Sequence, residues 1–232
     1  QAAGLTFGFV VGLPPRDGAA SSATAGETLA PNIWVNIAPD GIITIVNPSA
    51  EMGQGTMTAL PIILAEELDA DWSDVRIELS PSDDKLYGNP GYAGILRTGA
   101  SATLAGYYDT LRLHGAQARR VLLDSAAARW GVPVEELATE PSVVVHRRSG
   151  RELTYGEVAG FTTMPARPPD IGPGDLKDPV EFRLIGHDLP RADIPEKVDG
   201  SAQYSMDIRL PGMVYATVLR PPVRGALPEQ VS

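Results

Sequence analysis

Ser49-Ala-Glu-Met-Gly-Gln-Gly-Thr-Met-Thr58 lies between a predicted strand and a predicted helix, and this stretch decides the fold. Gly53 and Gly55 allow the backbone to approach a ligand closely, and Gln54 between them offers both a donor and an acceptor. The loop ends where a helix begins, and free N–H groups at a helix N-terminus suit a phosphate or another anion. Because many ordinary turns also contain Gly-x-Gly, the surrounding sequence has to decide between a turn and a binding loop.

The sequence on both sides of this loop predicts a mixed α/β fold. Residues 33–37 alternate, Pro39-Asp40-Gly41 is typical of a turn, and residues 42–47 complete a hairpin. Further along, the patterns predict a helix over Thr58–Leu68, a strand over Trp72–Leu79, a helix from Ala102 to Trp130 that ends at Gly131, and a hairpin of Val143–His146 with Glu152–Tyr155. Glu66 and Glu67, on the first of these helices, are interpreted as surface or helix-end charges.

A second glycine-bearing loop precedes the long helix. Residues 80–99 form a predicted loop rich in proline and glycine, and loops of this length in a compact domain are often functional. This segment leads to Thr98-Gly-Ala-Ser-Ala102, directly before the helix. Two such loops would place two sets of backbone N–H groups around a polyanionic cofactor. Two purely structural turns are the alternative that the spacing leaves open.

The composition limits the classes of function. The net charge of −10 and the lack of a basic stripe argue against a nucleic-acid partner, and Arg119-Arg120 and Arg147-Arg148 are interpreted as isolated surface pairs. The chain has no cysteine, which excludes disulfides and cysteine-ligated iron–sulfur or zinc sites within it. His114, His146 and His187 form no metal-binding pattern. A redox metal would therefore arrive inside a cofactor or belong to a partner subunit.

Four segments are predicted along the chain. They are residues 1–31, a signal or anchor remnant with a linker; residues 32–162, the α/β unit; residues 163–190, a proline-rich linker or wrapping segment; and residues 191–232, the start of a second unit with strands at 200–207 and 213–220. The apolar stretch at residues 2–13 is too short to span a bilayer. A buried N-terminal arm is the alternative for the first segment.

Three ordered motifs resemble the molybdopterin-binding large subunit of the xanthine oxidase family. Glu51-Met-Gly-Gln-Gly55, followed by Ala65-Glu-Glu-Leu-Asp69, is similar to its first cofactor loop and the helix after it, and Thr98-Gly-Ala-Ser101 is similar to its second cofactor loop. Arg191–Gly200 with Asp207–Met213 resembles the opening of its α/β hammerhead domain. The cofactor motif precedes the hammerhead-like segment, as in the isoquinoline 1-oxidoreductase and periplasmic aldehyde dehydrogenase branch. The resemblance implies part of a permuted molybdopterin-binding domain, followed by the start of the hammerhead domain.

The resemblance also assigns roles to residues. It implies cofactor binding by Met52, Gly53, Gln54, Gly55, Thr98, Gly99, Ala100, Ser101 and Ala102. The family holds molybdenum through the pterin, so no protein residue is expected to bind the metal. Its general-base glutamate lies beyond Ser232, near the C-terminus of the full subunit, so no residue of this chain is predicted to be catalytic. Glu51 is expected to orient the loop rather than to replace that base.

For the whole protein, the resemblance implies the catalytic subunit of a molybdenum hydroxylase that oxidises aldehydes or N-heterocycles with oxygen from water; the present fragment alone would be inactive. The implied cofactor is molybdopterin cytosine dinucleotide. The implied partners are the remainder of the subunit, a small subunit with a [2Fe-2S] centre, and a membrane cytochrome subunit with haem c. A twin-arginine export signal would place the protein in the periplasm, associated with the membrane.

Two other functions remain open on the sequence. A noncatalytic assembly or binding module would keep the fold without the cofactor. A generic nucleotide-binding protein would require Gly-x-Gly-x-x-Gly immediately after the first strand, and the sequence has none there.

Overall fold

The computed structural model describes residues 29–220 and 222–226, and a four-stranded sheet lies at its centre. The strands are β1 (Leu29–Asn32), β2 (Val35–Ile37), β3 (Ile43–Asn47) and β4 (Val75–Leu79), side by side in that order. β2 and β3 form the predicted antiparallel hairpin, whereas β3 and β4 run parallel. Helices and two sheets together confirm the predicted mixed α/β class. The predicted signal remnant falls on residues 1–31, of which 1–28 lie outside the described part.

The helix α1 (Thr56–Leu68) connects β3 to β4. Parallel neighbours require such a crossover because a tight turn can only join antiparallel strands. α1 begins two residues earlier than predicted, directly after Gly55. The loop of residues 48–55 therefore lies at the carboxyl end of β3, the edge at which open α/β sheets bind ligands.

The long helix α3 (Thr103–Trp130) packs along α1 and closes the core. Its C-terminal cap is Gly131 in the left-handed conformation, at φ 65°, as the sequence predicts. A Cβ atom at Gly115 would lie only 2.5 Å from the Leu64 carbonyl oxygen of α1, so the two helices approach closely at this point. The fully buried aliphatic side chains between the layers include Ile43, Ile45, Leu60, Leu64, Leu68, Leu111 and Leu122.

A second, three-stranded sheet follows α3. It consists of β5 (Ala138–Glu140), β6 (Val143–His146) and β7 (Arg151–Thr154), all antiparallel. The hairpin of β6 and β7 is confirmed, whereas β5 was not predicted because three residues carry too little periodicity. The capping box at Thr154 then opens α4 (Tyr155–Ala159).

Two predicted strand starts are wrong, each because a short polar side chain captures the local backbone. The Asn32 side chain accepts the N–H of Trp34 at 2.9 Å, so residues 33 and 34 form a turn rather than the start of a strand. The Asp71 side chain accepts the N–H of Ser73 at 2.9 Å, and residues 72–74 form a 3-10 turn. Side-chain hydrogen bonds of this kind compete with strand pairing.

Residues 80–99, predicted as a loop, contain α2 (Asp84–Tyr87) and a 3-10 turn at Pro90–Tyr92. The fully buried Asn89 organises this segment. Its Oδ1 accepts the N–H of Gly91 at 2.8 Å, and its Nδ2 donates to the carbonyl oxygen of Ala102 at 3.4 Å. A Cβ at Gly106 would lie 1.9 Å from Asn89 Oδ1, so only glycine fits there on α3. The segment is thereby fixed against α3 immediately before the second glycine-bearing loop.

Of the two alternatives for Glu66 and Glu67, surface charges are excluded because both residues are 0% exposed, whereas both do lie in the last turn of α1. Glu67 Oε1 accepts from Arg112 Nε at 2.7 Å, and Arg119 Nη2 lies 3.7 Å from Glu67 Oε2. Arg119, also interpreted as a surface residue, therefore belongs to this buried cluster. Lys177 Nζ contacts Glu66 Oε1 at 3.2 Å and Asp69 Oδ1 at 2.8 Å. Buried charges persist in proteins where they are paired in this way.

The proline-rich segment supplies much of this pairing by wrapping over the end of α1. Glu66 Oε2 accepts the backbone N–H groups of residues 183, 184 and 185 at 2.9, 2.6 and 3.1 Å. Arg183 Nη2 also contacts Asp69 Oδ1 at 2.6 Å. We call residues 177–185 the strap, because they hold the carboxylates at the C-terminal end of α1. Sequence periodicity does not reveal such a segment, since its contacts lie more than a hundred residues away in the chain.

The buried carboxylates make stability pH-dependent. Burial disfavours the charged form of Glu66, but the N–H groups of residues 183–185 and the Lys177 ammonium outweigh burial and lower its pKa below 4.5. Burial also disfavours the charged form of Asp69, but hydrogen bonds from the Lys177, Thr139 and Arg183 side chains and the Lys177 charge outweigh it and lower the pKa of Asp69. A lowered folded pKa stabilises the protein above the unfolded value, and this contribution is lost as the pH falls through the folded value.

We therefore expect the free energy of unfolding to fall as the pH is lowered below about 4.5, with Glu66 contributing up to about 1.4 kcal/mol per pH unit. Urea unfolding of the wild type and of Glu66→Gln between pH 3 and pH 7 measures this slope. The variant should show a shallower dependence below pH 5. An identical slope in the two proteins would exclude Glu66 as a source of the pH dependence.

The described residues divide into two compact units, with the boundary between Ile194 and Pro195. The helix α5 (Ile194–Asp199) spans the boundary, and the described part of the second unit also has a 3-10 turn at Ser205–Asp207. The predicted strands at 200–207 and 213–220 are wrong for the described residues, which form no strand there. A strand requires a hydrogen-bonded partner, and these residues pair with none in the described ranges. Of the helices described, none is both long and apolar enough for a membrane span.

Candidate functional site

The two glycine-bearing loops meet at the carboxyl end of β3. The Thr98 hydroxyl oxygen lies 3.0 Å from Ser49 Oγ and accepts the N–H of Ala50 at 3.1 Å. Ser49 Oγ also donates to Thr56 Oγ1 at 3.2 Å, at the first residue of α1. A single hydroxyl therefore connects segments that are 48 residues apart in sequence. The structure brings together the two sets of residues that the sequence predicts as one site.

The carboxylate of Glu51 organises the first loop. Its Oε1 accepts the N–H groups of Gly53 and Gly55 at 2.7 and 3.0 Å, and its Oε2 accepts the N–H of Met57 at 2.9 Å. We call these three N–H groups the donor ring. The Glu51 side chain is 8% exposed and occupies the donor ring as a bound anion would. Its predicted orienting role has direct support in this arrangement.

The electrostatics of Glu51 follow from these contacts. Burial raises its pKa, but the backbone N–H groups of Met57, Gly55 and Gly53 together outweigh burial and lower the pKa below 4.5. Glu51 is therefore charged at neutral pH. The donor ring stabilises one negative charge in a nearly enclosed position.

Gln54 is turned onto its own loop. Its Nε2 donates to the carbonyl oxygen of Ala50 at 2.6 Å and to Thr56 Oγ1 at 2.7 Å, while its Oε1 accepts the N–H of Met52 at 2.5 Å. Both halves of the amide are thus used within the loop. The Met52 side chain, by contrast, is 69% exposed, so it lies at the rim of the site.

Both glycines of the first loop have a conformation that other residues rarely adopt. Gly53 has a φ of 102° and Gly55 a φ of 88°, both positive. A Cβ at either position would meet nothing within 4 Å among the described residues. The surface beside the donor ring is therefore open, which allows a ligand to approach the backbone closely.

The second loop has two successive non-glycine residues in the left-handed region, Ala100 at φ 47° and Ser101 at φ 55°. Such residues cost of order 1 kcal/mol or more each and persist where neighbouring contacts impose them. Here the Tyr92 hydroxyl donates to the Gly99 carbonyl, which also accepts the N–H of Ala102 at 3.2 Å. Within residues 29–220 and 222–226, the N–H groups of residues 99–101 donate no hydrogen bond. They remain available as donors to a ligand.

Three residues of the site were missed by the sequence prediction. Ser49 is one of them, and it forms the link described above with Thr98, which was itself predicted as a cofactor-binding residue. Asn47 is fully buried at the end of β3; its Nδ2 donates to the Ser49 carbonyl at 2.8 Å, while its Oδ1 has no partner among the described residues. Arg191 also reaches the loop, with Nη1 3.2 Å from the Gly53 carbonyl oxygen. Polar residues at the end of a buried strand are the signal that points to Asn47 and Ser49.

The histidines lie outside this site. His146 is buried and contacts Glu136 and Ser149, and His114 contacts Gln117. In the part of the chain that the structure describes, no group of three His, Cys, Asp or Glu side chains is placed to hold a metal ion. The donors that meet at the site are backbone N–H groups, hydroxyls and amides, which suit an anionic organic ligand.

The sequence profile of the molybdopterin cofactor-binding domain family matches residues 6–181. The chain is 44% identical to the beta chain of isoquinoline 1-oxidoreductase of Brevundimonas diminuta, an alignment that covers all of this chain and 34% of that protein. It is 35% identical to a membrane-bound aldehyde dehydrogenase (pyrroloquinoline-quinone) of Gluconacetobacter polyoxogenes, covering 84% and 24% of the two chains. It is 36% identical to a nicotinate dehydrogenase chain of Pseudomonas putida, covering 83% and 15%. The chain spans about a third or less of each relative.

Proposed function

The chain belongs to the molybdopterin cofactor-binding domain family, and on this basis we propose that residues 49–57 and 98–102 together form part of the cofactor site. The observation that carries this proposal is the Thr98 hydroxyl, which joins the two loops at the carboxyl end of β3. The site residues inferred from the sequence lie in these two loops. Each loop presents backbone donors rather than metal ligands, which agrees with a metal held by its organic cofactor.

The donor set fits a pterin that bears phosphate groups. A carboxylate already occupies the donor ring of Gly53, Gly55 and Met57, so this ring accommodates an anionic oxygen pair. The N–H groups of residues 99–101 have no acceptor within the described ranges. Beside the glycines there is room for close backbone approach. Oriented N–H groups of this kind bind anions without any charged side chain.

Each loop would have its own task. The first loop would bind the pterin or its phosphate through Gly53, Gly55 and the Gln54 amide, which would have to exchange their present contacts with Glu51 and with the loop itself for contacts with the ligand. The second loop, residues 98–102, would line the molybdenum end of the cofactor. When bound, the cofactor supplies the redox centre at which a substrate carbon takes up oxygen derived from water. The chain's own residues orient this group and hold it in place; the general base would be a glutamate outside these residues.

For the whole protein we propose the catalytic subunit of a molybdenum hydroxylase that acts on an aldehyde or an N-heterocycle. The names of the relatives, an isoquinoline oxidoreductase, an aldehyde dehydrogenase and a nicotinate dehydrogenase, support the proposed substrate types, and the family match supports the molybdopterin cofactor. The finer proposals are molybdopterin cytosine dinucleotide as cofactor, electron transfer to a [2Fe-2S] subunit and a haem c subunit, and a periplasmic location at the membrane. Metal and nucleotide analysis of the purified full-length complex tests the class. An active complex without molybdenum would contradict it.

The link between the loops provides a prediction. Thr98→Val removes the acceptor for the Ala50 N–H and the contact with Ser49, which should cost about 1–1.5 kcal/mol of loop stability. When the cofactor-bound form loses this stabilisation, the dissociation constant of the cofactor rises about tenfold. Molybdenum content per full-length subunit, determined by elemental analysis after dialysis, measures the loss. Thr98→Ser keeps the hydroxyl and serves as the matched control.

A noncatalytic module is the second candidate function for the chain. The molybdenum content of the full-length subunit distinguishes it from the enzyme. A well-folded full-length wild type without molybdenum, when expressed in cells that make the cofactor, would favour the module. Unchanged molybdenum content in Thr98→Val would instead show that the hydroxyl link is dispensable.

A further inference from the structure

We propose that Glu51 is an exchangeable occupant of the donor ring: an anionic group of the ligand displaces its carboxylate, and Arg191 receives it. The inference rests on the proposed function, because it assumes that the loop of residues 49–57 binds an anion. It assigns to Glu51 and Arg191 the role of positioning residues, which act on the loop rather than on a substrate.

The first observation is that Glu51 saturates the donor ring. Each of its three N–H groups donates to one carboxylate oxygen, at 2.7 to 3.0 Å. An N–H group makes one strong hydrogen bond, so a phosphate can use these donors only after the carboxylate leaves. Two anions held side by side within about 4 Å also repel one another, most strongly where water is excluded. Simultaneous occupation is therefore unfavourable.

The second observation is a cation in position to receive the displaced carboxylate. Arg191 Nη2 lies 3.4 Å from Glu51 Oε1, longer than the bonds in the donor ring, and the side chain is 36% exposed. The guanidinium is held by Asp193, at 2.9 Å from Nε and 2.7 Å from Nη2. A small rotation that takes the Glu51 carboxylate out of the donor ring would also bring this carboxylate closer to the Arg191 guanidinium. Arginine offers several donors, so it binds two carboxylates without losing either.

The third observation fixes Arg191 relative to the loop. Its Nη1 donates to the Gly53 carbonyl at 3.2 Å, and the N–H of the following residue, Ala192, donates to Thr58 Oγ1 of α1 at 2.9 Å. The Arg191 guanidinium is thus attached to the Gly53 end of the loop, and the residue after Arg191 is attached to α1 directly after Met57. Exchange of Glu51 would change the partner of one carboxylate without unfolding the loop, and the glycines would keep their positive φ angles.

A double-mutant cycle tests the exchange in the full-length protein prepared without cofactor. Inorganic pyrophosphate is the probe, and calorimetry gives its dissociation constant for the wild type, Glu51→Gln, Arg191→Met and the double variant. We expect Glu51→Gln to bind pyrophosphate about fivefold or more tightly than the wild type. Arg191→Met should weaken binding about fivefold where Glu51 is present, but less than about twofold in the Glu51→Gln background.

The cycle separates exchange from simple attraction. If Arg191 only attracts the anion, its loss weakens binding equally in both backgrounds, and this additive result would overturn the proposal. Glu157→Gln is the control for loss of one negative charge, because the Glu157 carboxylate also accepts a backbone N–H, from Thr154 at 2.8 Å, but in the capping box of α4. It should leave the dissociation constant unchanged within about twofold.

Hydrogen exchange of the peptide that covers residues 49–58 gives a second readout. Without ligand, Glu51→Gln should exchange faster than the wild type in this peptide, and pyrophosphate should restore the protection. Equal exchange in both proteins, with no pyrophosphate bound by Glu51→Gln, would also overturn the proposal. The molybdenum content of the holoprotein tests the proposed function separately, so an additive cycle in a protein that retains molybdenum removes only this inference.

Discussion

Glu66→Ala is expected to lower the free energy of unfolding by about 3–5 kcal/mol, the range measured when one partner of a buried ion pair is removed. Glu66 is fully buried and accepts three backbone N–H groups of the strap. Its loss leaves those donors unsatisfied and leaves the Lys177 ammonium with one carboxylate, Asp69, instead of two. The strap, whose contacts with α1 centre on these carboxylates, should become the first part of the unit to exchange its amide hydrogens.

Urea unfolding followed by tryptophan fluorescence measures this effect, because Trp34 is buried in the core of the first unit. The matched control is Asp124→Ala, which breaks an ion pair with Arg120 on the surface of α3, where both side chains are more than 40% exposed. Exposed pairs contribute little, so the control should change stability by less than about 0.5 kcal/mol. If the two variants proved equally stable, burial would not be what makes the Glu66 contacts important.

Gly115→Ala is the second substitution with a large expected effect. The new methyl group would lie 2.5 Å from the Leu64 carbonyl oxygen and 2.8 Å from Glu67 Cβ, well inside van der Waals contact. The obstacle is backbone at the centre of the α1–α3 contact, which cannot rotate away as a side chain can. Overpacking of this kind costs about 1–3 kcal/mol, and alanine regains about 1 kcal/mol of helix propensity over glycine. With a backbone obstacle we expect the upper end of the overpacking cost, and so a net loss of about 2 kcal/mol.

Gly160→Ala provides the control for the glycine substitution. A Cβ there would meet its nearest neighbour at 3.4 Å, an ordinary contact, and its φ of −64° suits any residue. Thermal unfolding of both variants should therefore separate them, with only Gly115→Ala markedly destabilised. A Gly115→Ala protein as stable as the wild type would mean that α1 and α3 shift apart at little cost.

Local patterns predicted the parts of the fold that local chemistry decides. The turn at residues 39–41, the hairpin of β2 and β3 and the long helix with its Gly131 cap all depend on residues close together in sequence. The two glycine-bearing loops were found for the same reason. Their meeting at Thr98 was expected only from their common function, because no periodicity links residues 48 positions apart.

What the sequence did not predict depends on contacts between distant segments. Glu66 has the composition of a surface residue, and only the strap, which begins more than a hundred residues later, makes its burial possible. In the same way, the alternation at residues 213–220 favours a strand, but a strand forms only where a partner strand is available. The occupation of the donor ring by Glu51 was not predicted either, because the loop can present its N–H groups to any nearby anion.

The strap also constrains the order in which the molecule can be completed during synthesis. α1 leaves the ribosome more than a hundred residues before the groups that neutralise its carboxylates, because the N–H groups that bind Glu66 belong to residues 183–185. Until then, Glu66 and Asp69 must remain in water, and α1 cannot settle into its final place without burying unpaired charge. The nascent first unit is therefore unfinished for most of its translation. It acquires its final packing at α1 only when the strap, close to the end of that unit, has emerged.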